Sequence, residues 1–400
     1  MVVVLVLAAG AAWESPALTG LADRADVVVL KRCVDVGDLL ATAAAGQADV
    51  AVVSLDAPGL DRDAVDHLRG HGVRPVAILP SGPALDAAAS RATRIGVRAV
   101  VADDELPELG DVVAAGDEPE PTVARATEDR APEAAQPGRV TAVWGPAGAP
   151  GRTTLAVGLA AELGRTRRTI LVDADPYGGA VAQQLGIVDE VSGLLAATRL
   201  AAAGQLPERF GSVQRSLDHR LSVVTGLPRA DRWVEVRAGV VEHLLEVAGG
   251  HGHVVVDTGF SLEHDPASGA GRAGRNTMTL AALEVADDVV VVGGADPVGL
   301  SRLARGLVEL AETTGCTAPY VVVNRMRPTL GWAEADIAGM LRGVTAIAGL
   351  YFLPDDRAAV DRALVAGRSL AEIGDSAVGR AVAGVAAALL PRPAQAANSR

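Results

Sequence analysis

Short apolar runs alternate along the chain with segments whose apolar residues are spaced as in amphipathic helices. Within residues 1–115, the apolar runs cover 2–8, 26–30, 49–54, 75–79 and 98–101, and helix-compatible segments cover 36–45, 62–70 and 84–95. Strands that alternate with helices in this way pair in parallel, because each crossover helix returns the chain to the same edge of the sheet. The pattern predicts an N-terminal doubly wound α/β domain.

A second series of apolar runs begins after residue 139 and shows the same alternation. Its runs cover 140–144, 169–173, 253–257, 288–293, 320–326 and 350–354, and helical patterns cover 155–163, 357–367 and 377–390. The runs are rich in valine, which is typical of parallel strands that are buried on both faces. We therefore expect a C-terminal α/β domain with a mostly parallel sheet.

The segment between the two series, residues 116–138, is rich in proline and acidic residues and poor in large apolar residues. Such a composition cannot bury enough apolar surface to fold, so it predicts a disordered linker. The predicted organisation is therefore an N-terminal domain at 1–115, a linker at 116–138, a C-terminal domain at 139–392 and a flexible tail at 393–400.

Composition excludes several classes of protein. The 400 residues include only two cysteines, Cys33 and Cys316, so neither a disulfide framework nor a zinc site is expected. The net charge is -13, and residues 139–400 carry 27 acids and 25 bases, which gives no general attraction to nucleic acid. Residues 2–12 lack the basic start of a signal peptide, and no later apolar run has transmembrane length without charges. We expect a cytoplasmic protein without a membrane helix.

The most informative stretch joins the first strand of the C-terminal domain to its helix and reads Val140-Thr-Ala-Val-Trp-Gly-Pro-Ala-Gly-Ala-Pro-Gly-Arg-Thr-Thr154. Glycines allow backbone N–H groups to converge on an anion, and the helix that follows adds the positive end of its dipole. A hydroxyl group directly after such a loop can bind Mg2+. The stretch predicts a phosphate-binding loop, although Arg152 stands where G-x-x-x-x-G-K-[ST] has lysine and Pro146 where it has the first glycine.

Acidic residues end two of the predicted strands. Asp173 and Asp175 close the strand that follows the loop helix, and Asp257 closes the strand at 253–257. Carboxylates at the end of a buried strand beside a phosphate-binding loop can complete a magnesium shell and orient a water molecule. Asn324 closes another strand, where an amide can bind an adenine edge or simply form a turn.

The order of these motifs resembles the MinD/ParA family of P-loop ATPases. After the loop come Asp-Ala-Asp-Pro-Tyr-Gly-Gly, Val-Val-Val-Asp-Thr, Val-Val-Asn-Arg and Leu-Pro-Asp-Asp. The resemblance implies ATP and Mg2+ as ligands, in a P-loop NTPase domain. It implies nucleotide contacts from Gly148, Ala149, Pro150, Gly151, Arg152, Thr153, Thr154, Asn324, Arg325 and Pro354, magnesium binding by Thr153, Asp173 and Asp257, and catalytic roles for Asp175 and Arg152.

Two cationic positions depart from that family. Its signature lysine falls at Ala147, and its second lysine at Arg152. The planar guanidinium of arginine cannot occupy the position of a slender ammonium group between two phosphates unless the loop shifts. We therefore expect the chain to bind nucleotide and to hydrolyse ATP slowly or not at all.

The N-terminal domain resembles the flavodoxin-like receiver domain of response regulators but lacks its chemistry. The first strand runs into Ala8-Ala-Gly-Ala-Ala12 where a receiver has magnesium-binding acids. Ser54 stands four residues before Pro58, at the position of the phosphorylated aspartate, and Asp56 is out of register. With such a pseudo-receiver in front of the ATPase domain, the chain resembles the CpaE/TadZ branch, which is linked to Flp pilus assembly, and the related septum-site-determining proteins.

Several functions remain open at this point. The resemblance favours a dimeric, nucleotide-dependent switch that positions pilus-assembly or division partners, with recruitment to a pole, a septum or the inner membrane face. Ala147 and Arg152 favour instead a non-hydrolysing scaffold. A ParA-type DNA-partitioning role is disfavoured by the near-neutral charge. A Rossmann dinucleotide site is disfavoured because the glycines at 145, 148 and 151 have the wrong spacing and because Thr153 and Asp257 would have no role.

Overall fold

The computed structural model describes residues 1–55, 57, 59–60, 62–82, 85–115, 138–188, 191–237, 239–264 and 274–390. These residues form two compact units, each built around its own sheet. Most of the predicted linker and all of the predicted tail lie outside the described residues, as do Asp56 and Pro58.

The first unit contains a five-stranded parallel sheet of order β2-β1-β3-β4-β5, the flavodoxin-like order. Its strands are β1 Val2–Leu7, β2 Val27–Arg32, β3 Val50–Ser54, β4 Arg74–Leu79 and β5 Ala99–Ala102, and its helices are α1 Glu14–Ala22, α2 Val36–Ala44, α3 Arg62–Gly70, α4 Leu85–Arg94 and α5 Leu109–Ala114.

Alternate residues of β1 face two separate cores, as the pleat of a strand requires. Leu5 and Leu7 belong to one cluster of buried side chains, with residues of α2, α3 and α4, whereas Val4 and Val6 belong to another, with residues of α1 and α5. Helices therefore cover both faces of the sheet, and the doubly wound arrangement predicted for this part of the chain is present.

The second unit contains an eight-stranded sheet of order β13-β12-β11-β6-β10-β7-β9-β8, in which only β8 is antiparallel to its neighbour. The strands are β6 Val140–Trp144, β7 Thr169–Ala174, β8 Arg215–Ser216, β9 Leu221–Val224, β10 His253–Thr258, β11 Asp288–Gly294, β12 Tyr320–Met326 and β13 Gly349–Pro354. The helices that follow β6 along the chain are α6 Arg152–Gly164, α7 Val181–Gln184, α8 Gly193–Ala202, α9 Leu206–Arg209, α10 Val240–His251, α11 Thr277–Val285, α12 Pro297–Thr314, α13 Glu334–Arg342, α14 Arg357–Ala366 and α15 Ala377–Leu389.

Two apolar cores cover the two faces of this sheet. One combines alternate strand residues with α6, α14 and α15, and the other combines the opposite strand residues with α11, α12 and α13. Helices α6 and α15 approach closely at Gly158, where a Cβ atom would lie 2.9 Å from a methyl carbon of Val382. Because α6 is packed between the sheet and α15, the position of the loop that precedes α6 is fixed as well.

Periodicity located the predicted strands and helices to within three residues of their observed bounds. It missed α1, α5, α7 to α13 and the strands β8 and β9. Strand β9, which has four residues and pairs in parallel with β7, was not located from the sequence. No described helix combines the length and the apolar character needed to cross a membrane.

Candidate functional site

The glycine-rich loop lies between β6 and α6, at the carboxyl edge of the central strands. Gly148 and Gly151 have φ values of 79° and 83°, in the left-handed region that favours glycine. Gly151 is the residue directly before α6, so the loop opens at the N-terminus of a 13-residue helix. The N-terminus of a helix presents free N–H groups and positive potential, which suit it to bind a phosphate group.

The end of β12 is hydrogen-bonded to this loop. The side-chain amide of Asn324 donates to the carbonyl oxygen of Pro150 at 3.0 Å, and a Cβ atom on Gly151 would lie only 2.5 Å from the same nitrogen. Arg325, the next residue, has a φ of 63°, which is unusual for a residue other than glycine. The residues predicted to surround the base are thus held against the residues predicted to surround the phosphates.

The three predicted acidic residues also come together. Asp257 is in register with Val143 of β6 on one side and with Asp173 of β7 on the other. Asp173 and Asp257 are 1% exposed, and Asp175 is 8% exposed. The sheet therefore brings three carboxylates, far apart in the sequence, next to the strand that leads into the loop.

Asp173 is enclosed by backbone. Its carboxylate accepts hydrogen bonds from the N–H groups of Asp175 and Val181 at 3.3 Å and 3.2 Å. Gly179 and Gly226 border it so closely that a Cβ atom at either position would overlap the carboxyl group. Burial raises the pKa of Asp173 to about 7, against the lowering effect of the two N–H groups.

Asp257 is the least satisfied of the acids. Neither carboxylate oxygen accepts a hydrogen bond of normal geometry from a described residue. Burial and the charge of Asp173 raise the pKa of Asp257 well above its ordinary value, and the nearby Thr153 hydroxyl and Arg152 only partly oppose this rise. A buried carboxylate without a partner is costly, and such groups are usually retained to bind a cation or a ligand.

Asp175 faces the residue that replaces the family's second lysine. The Nη2 atom of Arg152 lies 3.8 Å from Oδ2 of Asp175, and Nη1 donates to the carbonyl oxygen of Gly145 at 3.4 Å. Burial raises the pKa of Asp175, whereas the N–H group of Tyr177 and the charges of Arg152 and Arg275 lower it. Arg152 is therefore directed towards the acid that the sequence predicts to orient water.

The donor set fits a magnesium–phosphate complex rather than a metal held by protein alone. No group of three His, Cys, Asp or Glu side chains forms a metal site within the described parts of the chain. In P-loop sites, Mg2+ keeps several water ligands and binds one hydroxyl group, phosphate oxygens and carboxylates acting through water. The hydroxyl group of Thr153 and the carboxylate of Asp257 are groups of these two kinds, and the carboxylate of Asp173 lies on the neighbouring strand.

A cavity of about 400 Å³ lies on the other side of the loop. Its lining includes Gly151 and Thr154 at the start of α6 and Asn324, Arg325 and Pro354 at the ends of β12 and β13. Pockets of this size accommodate small ligands. Some of the residues predicted to bind nucleotide therefore line this cavity, and the others lie in the loop or beside the acids. Gly151 and Thr154 belong to both the loop region and the cavity lining.

Two arginines near the loop were not found from the sequence. Arg302 of α12 donates from Nη1 to the carbonyl oxygen of Ala147 at 3.3 Å. Arg275 lies with its guanidinium carbon 4.2 Å from the centre of the Tyr177 ring, close enough to Asp175 to influence its pKa. Neither arginine belongs to a recognisable motif, and both are more than 95 residues from the nearest of these partners, so no local signal could have revealed them.

Solved structures that match this chain include ATPases. A ParA-family ATPase from Chlorobium tepidum TLS is 16% identical, and the match covers 63% of this chain and 98% of that chain with a TM-score of 0.51. This chain has the fold of the ParA-family ATPases. The match covers 63% of this chain, and the first unit contains far fewer residues than that. Most of the matched residues therefore belong to the eight-stranded unit.

Two further solved structures match this chain with lower TM-scores. The cell-division ATPase MinD of Pyrococcus furiosus is 16% identical over 63% of this chain and 98% of that chain, with a TM-score of 0.49. The septum-site-determining protein MinD of Pyrococcus horikoshii OT3, solved with Mg-ADP, is 16% identical over 62% and 94%, with a TM-score of 0.48. No protein-family model matches the sequence, and no curated protein matches it.

Proposed function

We propose that the chain binds ATP together with Mg2+ at the loop between β6 and α6 and hydrolyses it slowly, as a nucleotide-dependent positioning or regulatory protein. The observation that supports this proposal best is the buried Asp257 carboxylate, which accepts no hydrogen bond of normal geometry from a described residue. It lies beside the loop and near Thr153, where a metal–phosphate complex would compensate its charge.

The residues of the chain have distinct roles in this proposal. The loop N–H groups and the N-terminus of α6 bind phosphate oxygens, and Thr153 supplies a hydroxyl ligand to Mg2+. Bound Mg2+ would neutralise charge on the terminal phosphates. Asp173 and Asp257 would hold the metal through its water ligands, and Asp175 would orient the attacking water. Asn324, Arg325 and Pro354 border the cavity that would take the base.

Slow hydrolysis is expected from the position of Arg152. Its guanidinium contacts Asp175 and Gly145, so the positive charge that should stabilise transferred phosphate is partly engaged by the protein itself. The same contact holds the carboxylate of Asp175, which is then less free to orient water. Because chemistry in P-loop enzymes depends on positioning and electrostatics, both effects lower the rate.

We infer a CpaE/TadZ-like homodimer in which ATP binding controls the recruitment of pilus-assembly or septum partners, in the cytoplasm at a pole, a septum or the inner membrane face. The five-stranded unit, with its flavodoxin-like strand order, serves as a pseudo-receiver that binds partners. Its Ser54, at the position where receivers carry the phosphorylated aspartate, cannot provide a carboxylate for phosphorylation.

A second candidate is a pseudo-ATPase scaffold that binds nucleotide without turnover. The ion pair between Arg152 and Asp175 favours it, because the pair links the two residues that turnover would require. The two candidates make the same prediction for nucleotide binding and opposite predictions for hydrolysis. Phosphate release measured over many hours at saturating ATP separates them.

Replacement of Thr153 by alanine tests the binding site. Removal of one hydroxyl ligand of Mg2+ is expected to weaken magnesium-dependent ATP binding about tenfold, which corresponds to a contact of about 1.4 kcal/mol. Binding without Mg2+ should change little, because the loop N–H groups are retained. A fluorescent ATP analogue titrated with Mg2+ and with EDTA measures both values.

The matched control is Thr166→Ala, which removes an exposed threonine hydroxyl just beyond the other end of α6. The control should bind ATP as the wild type does. If the wild type shows no saturable binding of ATP, the proposed function is wrong. If Thr153→Ala binds as tightly as the wild type in Mg2+, the hydroxyl is not a metal ligand.

A further inference from the structure

The glycine-rich loop has no cationic side chain at Ala147, yet an arginine from another element lies against it. Arg302, in the second turn of α12, donates from Nη1 to the carbonyl oxygen of Ala147 at 3.3 Å. The side chain is exposed, and within the described parts of the chain it forms no other hydrogen bond and no ion pair. A guanidinium group has five N–H donors, so most of its capacity remains available for an anion.

Helix α12 is held close to the loop by small residues. A Cβ atom on Gly306 would lie 3.1 Å from Cβ of Pro146, and one on Gly299 would lie 2.6 Å from the carbonyl oxygen of Gly294. The buried side chain of Leu303 packs over Gly293, where an added Cβ atom would be 2.6 Å away. The position of Arg302 is therefore fixed by packing on both sides of it along the helix.

Gly148 provides the space that the guanidinium occupies. A Cβ atom at this position would overlap Nη1 of Arg302, and the φ of 79° already disfavours any other residue. The loop is thus shaped for a close approach by the arginine as well as for its own turn. Arg152, the other cation of the loop, is instead directed towards Asp175.

We propose that Arg302 is a phosphate-binding residue, which supplies from within the same chain the positive charge that is absent at Ala147. This inference rests on the proposed function, because the anion that it binds is the β,γ-phosphate part of a nucleoside triphosphate. Arginine suits this role since its planar fork can donate to a phosphate oxygen while one N–H remains on the Ala147 carbonyl.

The test uses two variants of the full chain. They separate the effect of the positive charge of Arg302 from that of its hydrogen bond to the Ala147 carbonyl oxygen. Arg302→Gln retains an amide donor that can hydrogen-bond the Ala147 carbonyl but has no charge, whereas Arg302→Lys retains the charge. Fluorescent analogues of ATP, ADP and AMP are titrated against each protein. We expect Arg302→Gln to bind ATP and ADP about tenfold more weakly and AMP as the wild type does, and Arg302→Lys to retain most of the affinity.

Two further proteins complete the experiment. Arg305→Gln removes an exposed arginine one turn along α12, whose guanidinium bonds only to Ser301 of its own helix among the described residues, and it should bind all three nucleotides normally. Introduction of Ala147→Lys into the Arg302→Gln protein should restore ATP binding, since it returns a positive charge to the same loop position.

The possible outcomes are distinct. If the wild type binds no nucleotide, the proposed function fails and the inference fails with it. If the wild type binds ATP and Arg302→Gln binds it equally well, only the inference is overturned. An equal loss for ATP, ADP and AMP, or a failure of Ala147→Lys to restore binding, also overturns it, because Arg302 would then brace the loop and not bind phosphate.

Discussion

Replacement of Asp257 by asparagine is expected to abolish the enhancement of ATP binding by Mg2+, with a loss of affinity of roughly tenfold to a hundredfold in the presence of the metal. The side chain keeps its shape and loses the charge that attracts the hydrated cation. Isothermal titration of ATP with and without Mg2+ measures the effect. The variant should bind ATP in EDTA as well as the wild type, because the carboxylate of Asp257 accepts no hydrogen bond of normal geometry from the loop.

The same variant should alter how stability depends on pH. Burial raises the pKa of Asp173 to about 7 and that of Asp257 above its ordinary value, and the charges of Asp175 and Arg152 act on Asp257 in opposite directions. The folded protein therefore binds protons that the unfolded chain has released. The free energy of unfolding of the nucleotide-free protein should fall as pH rises from about 4 to about 7, by up to about 1.4 kcal/mol per pH unit for each proton.

Asp257→Asn removes one of these protons, so the variant should lose less stability than the wild type between about pH 5 and about pH 8. Urea denaturation at the two pH values measures the difference. Asp288→Asn is the control, because Asp288 forms an ion pair with Arg139 at 2.9 Å and its loss should cost about 1 kcal/mol or less at both pH values. A steeper pH dependence in Asp257→Asn would contradict the assignment of a costly buried charge.

Replacement of Arg152 by lysine is expected to increase the rate of ATP hydrolysis by about tenfold to a hundredfold. The ammonium group is slender enough to reach between phosphate oxygens, and it would release Asp175 from its contact with the guanidinium. Phosphate release at saturating ATP and Mg2+ measures the rate. A change of this size corresponds to about 1.4 to 2.8 kcal/mol in the activation free energy.

A double variant tests whether the faster hydrolysis expected for Arg152→Lys requires the carboxylate of Asp175. If the gain depends on Asp175, then Arg152→Lys combined with Asp175→Asn should return to the slow rate of the wild type. The control Arg167→Lys changes an exposed arginine just beyond α6 and should leave the rate unchanged. A slower rate in Arg152→Lys would show that the loop is adapted to arginine, and the explanation of slow turnover by guanidinium shape would be wrong.

All strands of the two sheets except β8 and β9 were predictable, because parallel strands that are buried on both faces typically consist of continuous apolar residues. Valine-rich runs such as that of β10 favour a buried strand. Helices such as α8 and α10 were missed although apolar residues recur along them at helical spacing. Strand β9, which has four residues, was also missed.

The acids of the candidate site could be predicted because they close strands that end at the same edge of a parallel sheet. Their environment could not be predicted from the sequence. The unpartnered carboxylate of Asp257 and the approach of Arg152 to Asp175 depend on the register of three strands and on the direction of a side chain. Local sequence carries no information on such contacts.

The sequence by itself determined the two α/β sheets, the glycine-rich loop and the acids that follow it, because strand burial and loop conformation impose their requirements on neighbouring residues. Only the tertiary structure decided which cations lie at the loop. Arg302 reaches Ala147 from a helix that is 155 residues further along the chain, and Arg152 faces an acid on another strand. Long flexible side chains are directed by packing between distant elements, so their partners appear only when the chain is folded.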